Sequence, residues 1–280
     1  MWQLTDGGWI HVSNIKGPQG QVGPQGPQGP QGEQGVSIVN VTTKSFCDAD
    51  DNVYMEITFH YSNDTTSTER VYLGHTIYVG SEMTLEKALE VVAEGGEIML
   101  TTDIELDKQI TVNKKVEINL AGNTISNTTD IWNEADGKWS LISVSGDGEL
   151  IITDSTSEGK LEAKENDCYA IAVRDGGKCV IEGGIFEGNV SAVYVKEGEL
   201  QIKGGTFLIK QLSAHGDERF TINCLDENYV NGTAKVIIEG GSFYNFDPAN
   251  NLSEGSFTKY IADGYAIEID GNWYTVGQMY

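Results

Sequence analysis

Over most of its length the chain sets apolar residues at every second position, in short runs broken by glycine, asparagine or aspartate. Ala170-Ile171-Ala172-Val173, Ala192-Val193-Tyr194-Val195 and Phe220-Thr221-Ile222-Asn223-Cys224 are three such runs. Each precedes a segment with a Gly-Gly-x-Phe ending: Val180 to Gly183-Gly184-Ile185-Phe186, Gln201 to Gly204-Gly205-Thr206-Phe207, and Ile237 to Gly240-Gly241-Ser242-Phe243. Weaker copies stand at Val116–Leu120, Leu141–Val144 and Leu150–Thr153. The first two Gly-Gly motifs are 21 residues apart and the next gap is 36, which leaves room for an inserted loop. Period-two alternation predicts strands. A repeat in the low twenties predicts that they stack, because one repeat cannot bury its apolar face alone. The leucine-rich pattern Leu-x-x-Leu-x-Leu and the Trp-Asp signature of a propeller blade are both missing. Residues 81–96 change period: Leu85, Ala88, Leu89 and Val92 follow helical spacing, Thr84 or Ser81 suits the cap, and Gly95-Gly96 ends the element. A helix there suits a lid over the open end of a strand stack. Residues 36–80 alternate again around Val53–Phe59 and Glu69–Leu73, with a turn at Asn63-Asp64-Thr65-Thr66. Tyr265–Ile269 and Trp273–Val276 predict a closing hairpin.

A second periodicity lies upstream. Gly17, Gly20, Gly23, Gly26, Gly29, Gly32 and Gly35 occupy every third position without a break. Three polyproline II strands wind round one axis only if the residue facing the axis has no side chain, so this run predicts a collagen-type stalk of three chains. A flexible linker has no reason to keep the period. Proline takes the first slot after glycine and never the second, the slot of hydroxyproline, so the stalk does without hydroxylation. Ordering each residue costs about 1–2 kcal/mol. So short and unhydroxylated a run needs a neighbouring module to trimerise it, and residues 36–80 are placed to do so. Residues 1–15 put Trp2 and Trp9 on a segment too small to fold alone, and predict an anchor that inserts the tryptophans and Ile10, Val12 or Ile15 into a partner; a disordered end is the alternative.

Composition narrows the function classes. The formal charge is −24, from 42 acidic and 18 basic residues, which argues against a protein that tracks phosphates. Cys47, Cys168, Cys179 and Cys224 are widely spaced, with no CxxC and no clustered histidines, and predict buried free thiols rather than a zinc site. Asp48-Ala49-Asp50-Asp51-Asn52 starts like a calcium loop, but Val53 stands where the sharp turn needs Gly and Phe59 where a bidentate Glu closes the site. No metal or cofactor is implied. No apolar stretch approaches a membrane span, and Met1–Asp6 lacks the basic start and apolar run of a signal peptide. Asp154 and Glu182 are candidates for carboxylates stacked on neighbouring repeats, but no basic residue completes a lyase-like cluster, so no catalytic residue is assigned. The best candidate for binding is the irregular insertion at 126–139, where Trp132 and Trp139 stand among Asn133 and acidic residues. Aromatic faces flanked by polar groups suit sugar rings; the same tryptophans also suit closing a strand stack or a subunit contact. The loops at 211–219, with His215 and Arg219, and at 245–258 are expected on the same flank.

Two resemblances extend this reading. Gly35-Val36-Ser37-Ile38-Val39-Asn40-Val41 with Thr58-Phe59-His60-Tyr61-Ser62-Asn63-Asp64-Thr65-Thr66-Ser67-Thr68 resembles the modules that follow collagen repeats in bacteriophage fibres. Gly95-Gly96-Glu97-Ile98-Met99-Leu100 with Val116-Glu117-Ile118-Asn119-Leu120-Ala121-Gly122-Asn123-Thr124-Ile125 resembles the opening of the pectate-lyase-like β-helix family. Together they imply an all-β chain in four parts: a virion anchor (1–15), a collagen-like triple-helical stalk (16–35), a small trimeric β module (36–80) and a right-handed parallel β-helix with an N-terminal capping helix (81–280). The implied protein is a homotrimeric head or tail fibre, made in the host cytoplasm and carried on the virion. Its N-terminus docks on a capsid or tail structural protein, and its head meets a host-surface glycan, with no nucleic-acid or membrane partner. The β-helix family also hosts polysaccharide depolymerases, and bacterial surface adhesins are a further alternative.

Overall fold

A computed structural model describes residues 2–11, 19–27, 35–47, 53–74, 76–211 and 220–279. Strand makes up 49 % and helix 7 %, so the chain is all-β in class. It divides into two units, residues 1–37 and 38–280.

In the first unit, β1 (Trp2–Thr5) and β2 (Gly8–His11) form an antiparallel hairpin. Its register sets Trp2 opposite His11 and Leu4 opposite Trp9, so both tryptophans share a face, while Ile10 lies with Gln3 on the other. Trp2, Leu4, Trp9 and Ile10 are all exposed. Residues 19–27 are exposed chain without helix or strand. A Cβ added at Gly20, Gly23, Gly26 or Gly35 would meet nothing within 4 Å. Gly17, Gly29 and Gly32, together with Val12 and Ile15, lie outside the described residues.

The second unit opens with a three-stranded antiparallel sheet: β3 (Ile38–Cys47), β4 (Val53–Tyr61) and β5 (Thr66–Gly74). Asp64, at φ 62°, makes the turn expected at Asn63–Thr66. One face carries Val41, Phe59, Ile57, Met55 and Val71, with Thr43, Ser67 and Glu69 among them. The other carries Thr42, Thr58 and Thr68 in one row and Lys44, Glu56 and Arg70 in the next. No described side chain of these strands is buried. Residues 48–52, where a calcium loop was rejected, lie outside the described residues.

Thr76–Val79 falls within the stretch expected to close the small module, yet it pairs in parallel with Glu97–Leu100 as the edge of a seven-stranded sheet. From Glu97 on, the chain visits three parallel sheets in rotation. Ile98, Ile118, Ile152, Ile181, Ile202 and Ile238 form an in-register ladder along the seven-stranded sheet. Ile104, Ile125, Leu161, Phe186, Phe207 and Phe243 do the same along the eight-stranded sheet. Ile110, Ile142, Ile171, Val193 and Ile222 line the five-stranded sheet. All three ladders meet in one core. The phenylalanines are the ends of the three Gly-Gly-x-Phe motifs, and their rings stack at 5.2 and 4.8 Å, within 13° and 10° of parallel. Cys179 and Cys224 occupy rungs of such ladders and Cys168 precedes one; all three are free and buried, and burial pushes the Cys179 thiol up to about 12.

The glycine pairs have a steric cause. Gly184, Gly205 and Gly241 have φ of +96°, +97° and +97°, a region that L side chains avoid. A Cβ on Gly204 would lie 2.4 Å from the Glu182 carbonyl oxygen, and one on Gly240 2.1 Å from that of Lys203. The bend brings one backbone against the next, and only glycine fits.

The predicted helix is α1 (Leu85–Val91), capped by Thr84, whose hydroxyl accepts from Lys87 N–H. It buries Leu85, Ala88 and the following Val92 in the core beside Ile77 and Val79. A second helix, α2 (Asp226–Asn231), was not anticipated, since residues 81–96 were expected to hold the one helix. Two acids open α2 and Gly232 closes it at φ 80°, the ordinary end signals of a helix. It occupies part of the 36-residue gap. Tyr265–Asp270 and Trp273–Gln278 form the expected hairpin, which joins Gly241–Tyr244 antiparallel. No helix among the described residues is long and apolar enough to cross a membrane.

Phe207 lies between two stacked rings, so Phe207→Ala is expected to cost about 3–5 kcal/mol. Gly204→Ala, which drives a methyl into a carbonyl, should cost about 1–3 kcal/mol. Urea denaturation followed by circular dichroism checks both; midpoints equal to that of the parent chain would contradict the stacking described.

Candidate functional site

The insertion after Ser126 carries the aromatic candidates, and one buried carboxylate holds it in place. Asp167 is 8 % exposed and accepts from Ile131 N–H at 3.0 Å, Trp132 N–H at 3.0 Å and Asn127 Nδ2 at 2.7 Å. Asn127 Oδ1 in turn accepts from Lys164 N–H. Gln109 Oε1 accepts from the backbone N–H of Trp139 at 3.0 Å and of Ser140 at 3.3 Å, fixing where the insertion rejoins the five-stranded sheet. Arg174 Nη1 donates to the Gly137 carbonyl at 2.6 Å. The tip is therefore tied down at three points.

These ties set four rings together. Trp132 and Trp139 stack at 6.5 Å, Tyr169 and Tyr194 at 5.1 Å, and Trp132–Tyr169 and Trp139–Tyr194 meet edge to face at 5.5 and 6.1 Å. Strand alternation turns Ser143, Ala172 and Tyr194 to the outer face of the five-stranded sheet, in register. Ser143 and Ala172 are nevertheless only 1 % exposed, so this outer face is covered. Trp139 therefore belongs to the cover of the sheet and not to its core, while Trp132 is 40 % exposed. Arg174 Cζ and Lys196 Nζ stand 5.3 and 5.1 Å from the Trp139 ring centre.

Two hollows flank the rings. One, of about 320 Å³, is lined by Trp132, Glu134, Trp139, Tyr169, Tyr194, Lys196 and Leu225. The other, of about 420 Å³, lies between Asp130, Trp132, Asn166 and Tyr169 and reaches Val190. Burial pushes the Tyr169 phenol up to about 12, with Tyr194 and Glu134 adding to the effect, and burial likewise raises Tyr194. Both phenols thus stay protonated as hydrogen-bond donors. The arrangement offers flat faces for ring C–H groups, phenol donors, a carboxylate acceptor and cations, the usual means of holding a saccharide.

The expected site is only partly assembled. Trp132 and Trp139 come together as anticipated. Asn133 does not line either hollow: its Oδ1 caps a short turn at Asp136 N–H, its Nδ2 donates to Asp136 Oδ2, and its backbone pairs with Lys138. His215 and Arg219 lie outside the described residues, as does the loop 212–219. The 245–258 loop lines neither hollow. It buries Phe246 against Phe243 and ties Glu254 Oε1 to Cys224 N–H and the Tyr260 hydroxyl. Tyr169, Tyr194, Lys196, Asp167 and Gln109 were not singled out from the sequence. Tyr194 was legible as an outward position between Val193 and Val195; Tyr169 was not, since it starts its strand with the parity of the core residues Ile171 and Val173.

The carboxylates considered for catalysis are engaged. Asp154 accepts from Gly122, Gly159 and Thr156 N–H, and Glu182 pairs with Lys203 at 3.0 Å. Among the described residues no group of three or more His, Cys, Asp and Glu side chains is arranged to hold a metal ion. No protein-family model, curated protein or solved structure matches this chain.

Asp167→Ala should leave buried N–H groups without an acceptor, at about 1–3 kcal/mol for each group stranded. The expected result is a red shift of tryptophan emission with an unchanged far-ultraviolet circular dichroism spectrum. An unchanged emission maximum would show that Asp167 does not hold Trp132.

Proposed function

We propose that the chain is a homotrimeric structural fibre protein of a bacteriophage virion, a head or tail fibre. In this reading residues 76–280 form a right-handed parallel β-helix, carried on a collagen-like stalk and presenting the aromatic hollow to surface glycans. Three sheets visited in rotation, with in-register ladders along each of them, support the β-helix. Its hand follows from the near-universal right-handed crossover between parallel strands.

The observation that carries the reading is the incompletely buried sheet of β3, β4 and β5, directly after the glycine repeat. Within one chain Met55, Ile57 and Phe59 are only half-buried and Val41 and Val71 are exposed, so covering them would add stability. Two further copies of the same sheet, packed round an axis, supply the cover. The same three chains give the upstream glycines their reason, since nothing inside a single chain excludes a side chain at Gly20, Gly23 or Gly26. The engaged states of Asp154 and Glu182 favour a binding role over depolymerisation.

Immunogold labelling of purified virions with antibody raised against residues 76–280 tests the assignment. Gold on intact particles is expected with the full chain, and none when residues 1–15 are deleted. Particles that bear no gold although the full chain is produced would overturn it.

A further inference from the structure

We infer that three copies of residues 76–280 meet through the outer face of the seven-stranded sheet, each chain turning that face to a common three-fold axis. This rests on the three-chain reading proposed above and deepens it by naming the surface through which the copies touch.

Charge placement across this face carries the inference. Strand alternation turns three rows of side chains outward. One edge row runs Lys115, Glu149, Lys178, Glu199 and Lys235, one residue per strand in register. The middle row runs Ile151, Val180, Gln201 and Ile237, all half-buried. The other edge row holds Glu182, Lys203 and Glu239, each just past the end of its strand. Signs alternate along both edge rows, and neighbours within one chain account for that: Lys115 meets Glu149 at 2.7 Å and Lys203 meets Glu182 at 3.0 Å. Those neighbours do not account for the phase between the two rows. Lys178 shares its strand with Glu182, Glu199 with Lys203, and Lys235 with Glu239. Each of these strands therefore carries opposite charges at its two ends, about 13 Å apart along the backbone and too far to satisfy each other.

A three-fold axis keeps every residue at the same height in all the chains it relates. It brings one edge row of each chain against the other edge row of the next, strand against the same strand. The pairs so formed are Lys178 with Glu182, Glu199 with Lys203 and Lys235 with Glu239, every one of opposite sign, with Ile151, Val180 and Ile237 filling the axis between them. Lys178, Glu199 and Lys235 make no ion pair within their own chain among the described residues, so the contact gives each a partner. The eight-stranded sheet offers no such face, since Lys160 and Lys210 are already tied to Glu162 and Glu187 at 2.6 to 3.0 Å. The contact begins at Glu149. On the strands before it the middle row holds Glu97 and Glu117, like charges that repel one another at an axis. Thr76–Val79, the edge strand of this same sheet, starts two residues after β5 ends, so the face continues directly from the module proposed to trimerise.

The test combines Lys178→Cys with Glu182→Cys in the full chain. Within one chain the two positions are about 13 Å apart, beyond the roughly 7 Å between Cα atoms that a disulfide spans, so any bridge between them joins two chains. Oxidation followed by a non-reducing gel should give a covalent trimer as the main new species, absent from the parent chain and from either single variant. Glu199→Cys with Lys203→Cys should do the same one strand further along. A covalent product that stops at two chains would overturn the three-fold arrangement. No bridge in either double variant, while sedimentation still returns three chains, would overturn the face and leave the three-chain reading standing. A parent chain that sediments as a monomer would overturn both.

Discussion

Parallel strands hydrogen-bonded in register lie about 4.8 Å apart, and that spacing governs residues 76–280. Inside, it sets each ladder side chain on its equivalent one strand away: six isoleucines along one sheet, three phenylalanines with ring centres 4.8 and 5.2 Å apart along another. A side chain on one strand finds its equivalent on the next, as the isoleucine and phenylalanine ladders show. Outside, Tyr169 and Tyr194 stack at 5.1 Å although their Cα partners are Ser140 and Ala172, so the site is not an in-register rung like those of the core.

Glycine separates what the chain does to itself from what other chains do to it. At Gly204 and Gly240 the excluding atom is in the same molecule, a carbonyl oxygen 2.4 or 2.1 Å from the missing Cβ. At Gly20, Gly23 and Gly26 nothing stands in the way, yet the period is kept. The three-chain stalk proposed above would supply a reason for the period. The half-buried Met55, Ile57 and Phe59 of β4 would gain cover in the same proposed assembly.

Local chemistry was the legible part of the sequence. Alternation located the strands, Thr84 and the helical spacing located α1, and the Gly-Gly-x-Phe motifs marked the phenylalanine stack. The small helix α2 was overlooked because six residues carry little periodicity, although its acidic start and Gly232 were present. At the site, Trp132 and Trp139 were found by composition. The residues that position them, Asp167 and Gln109, were not, because each acts some 30 residues or more along the chain from what it holds. Asn133 was misjudged for the opposite reason: a polar residue between aromatics reads as a ligand contact, but an asparagine beside a tight turn satisfies its own backbone first.

The mass of the native particle bears most directly on the account. Sedimentation equilibrium at micromolar concentration should return three times the 30.5 kDa chain. The same measurement on Ile57→Asp, which sets a second carboxylate directly opposite Glu69 on that face, should return a smaller mass while the far-ultraviolet spectrum stays that of a β protein. A parent chain that sediments as a monomer would contradict the three-chain origin of both the glycine period and the bare sheet.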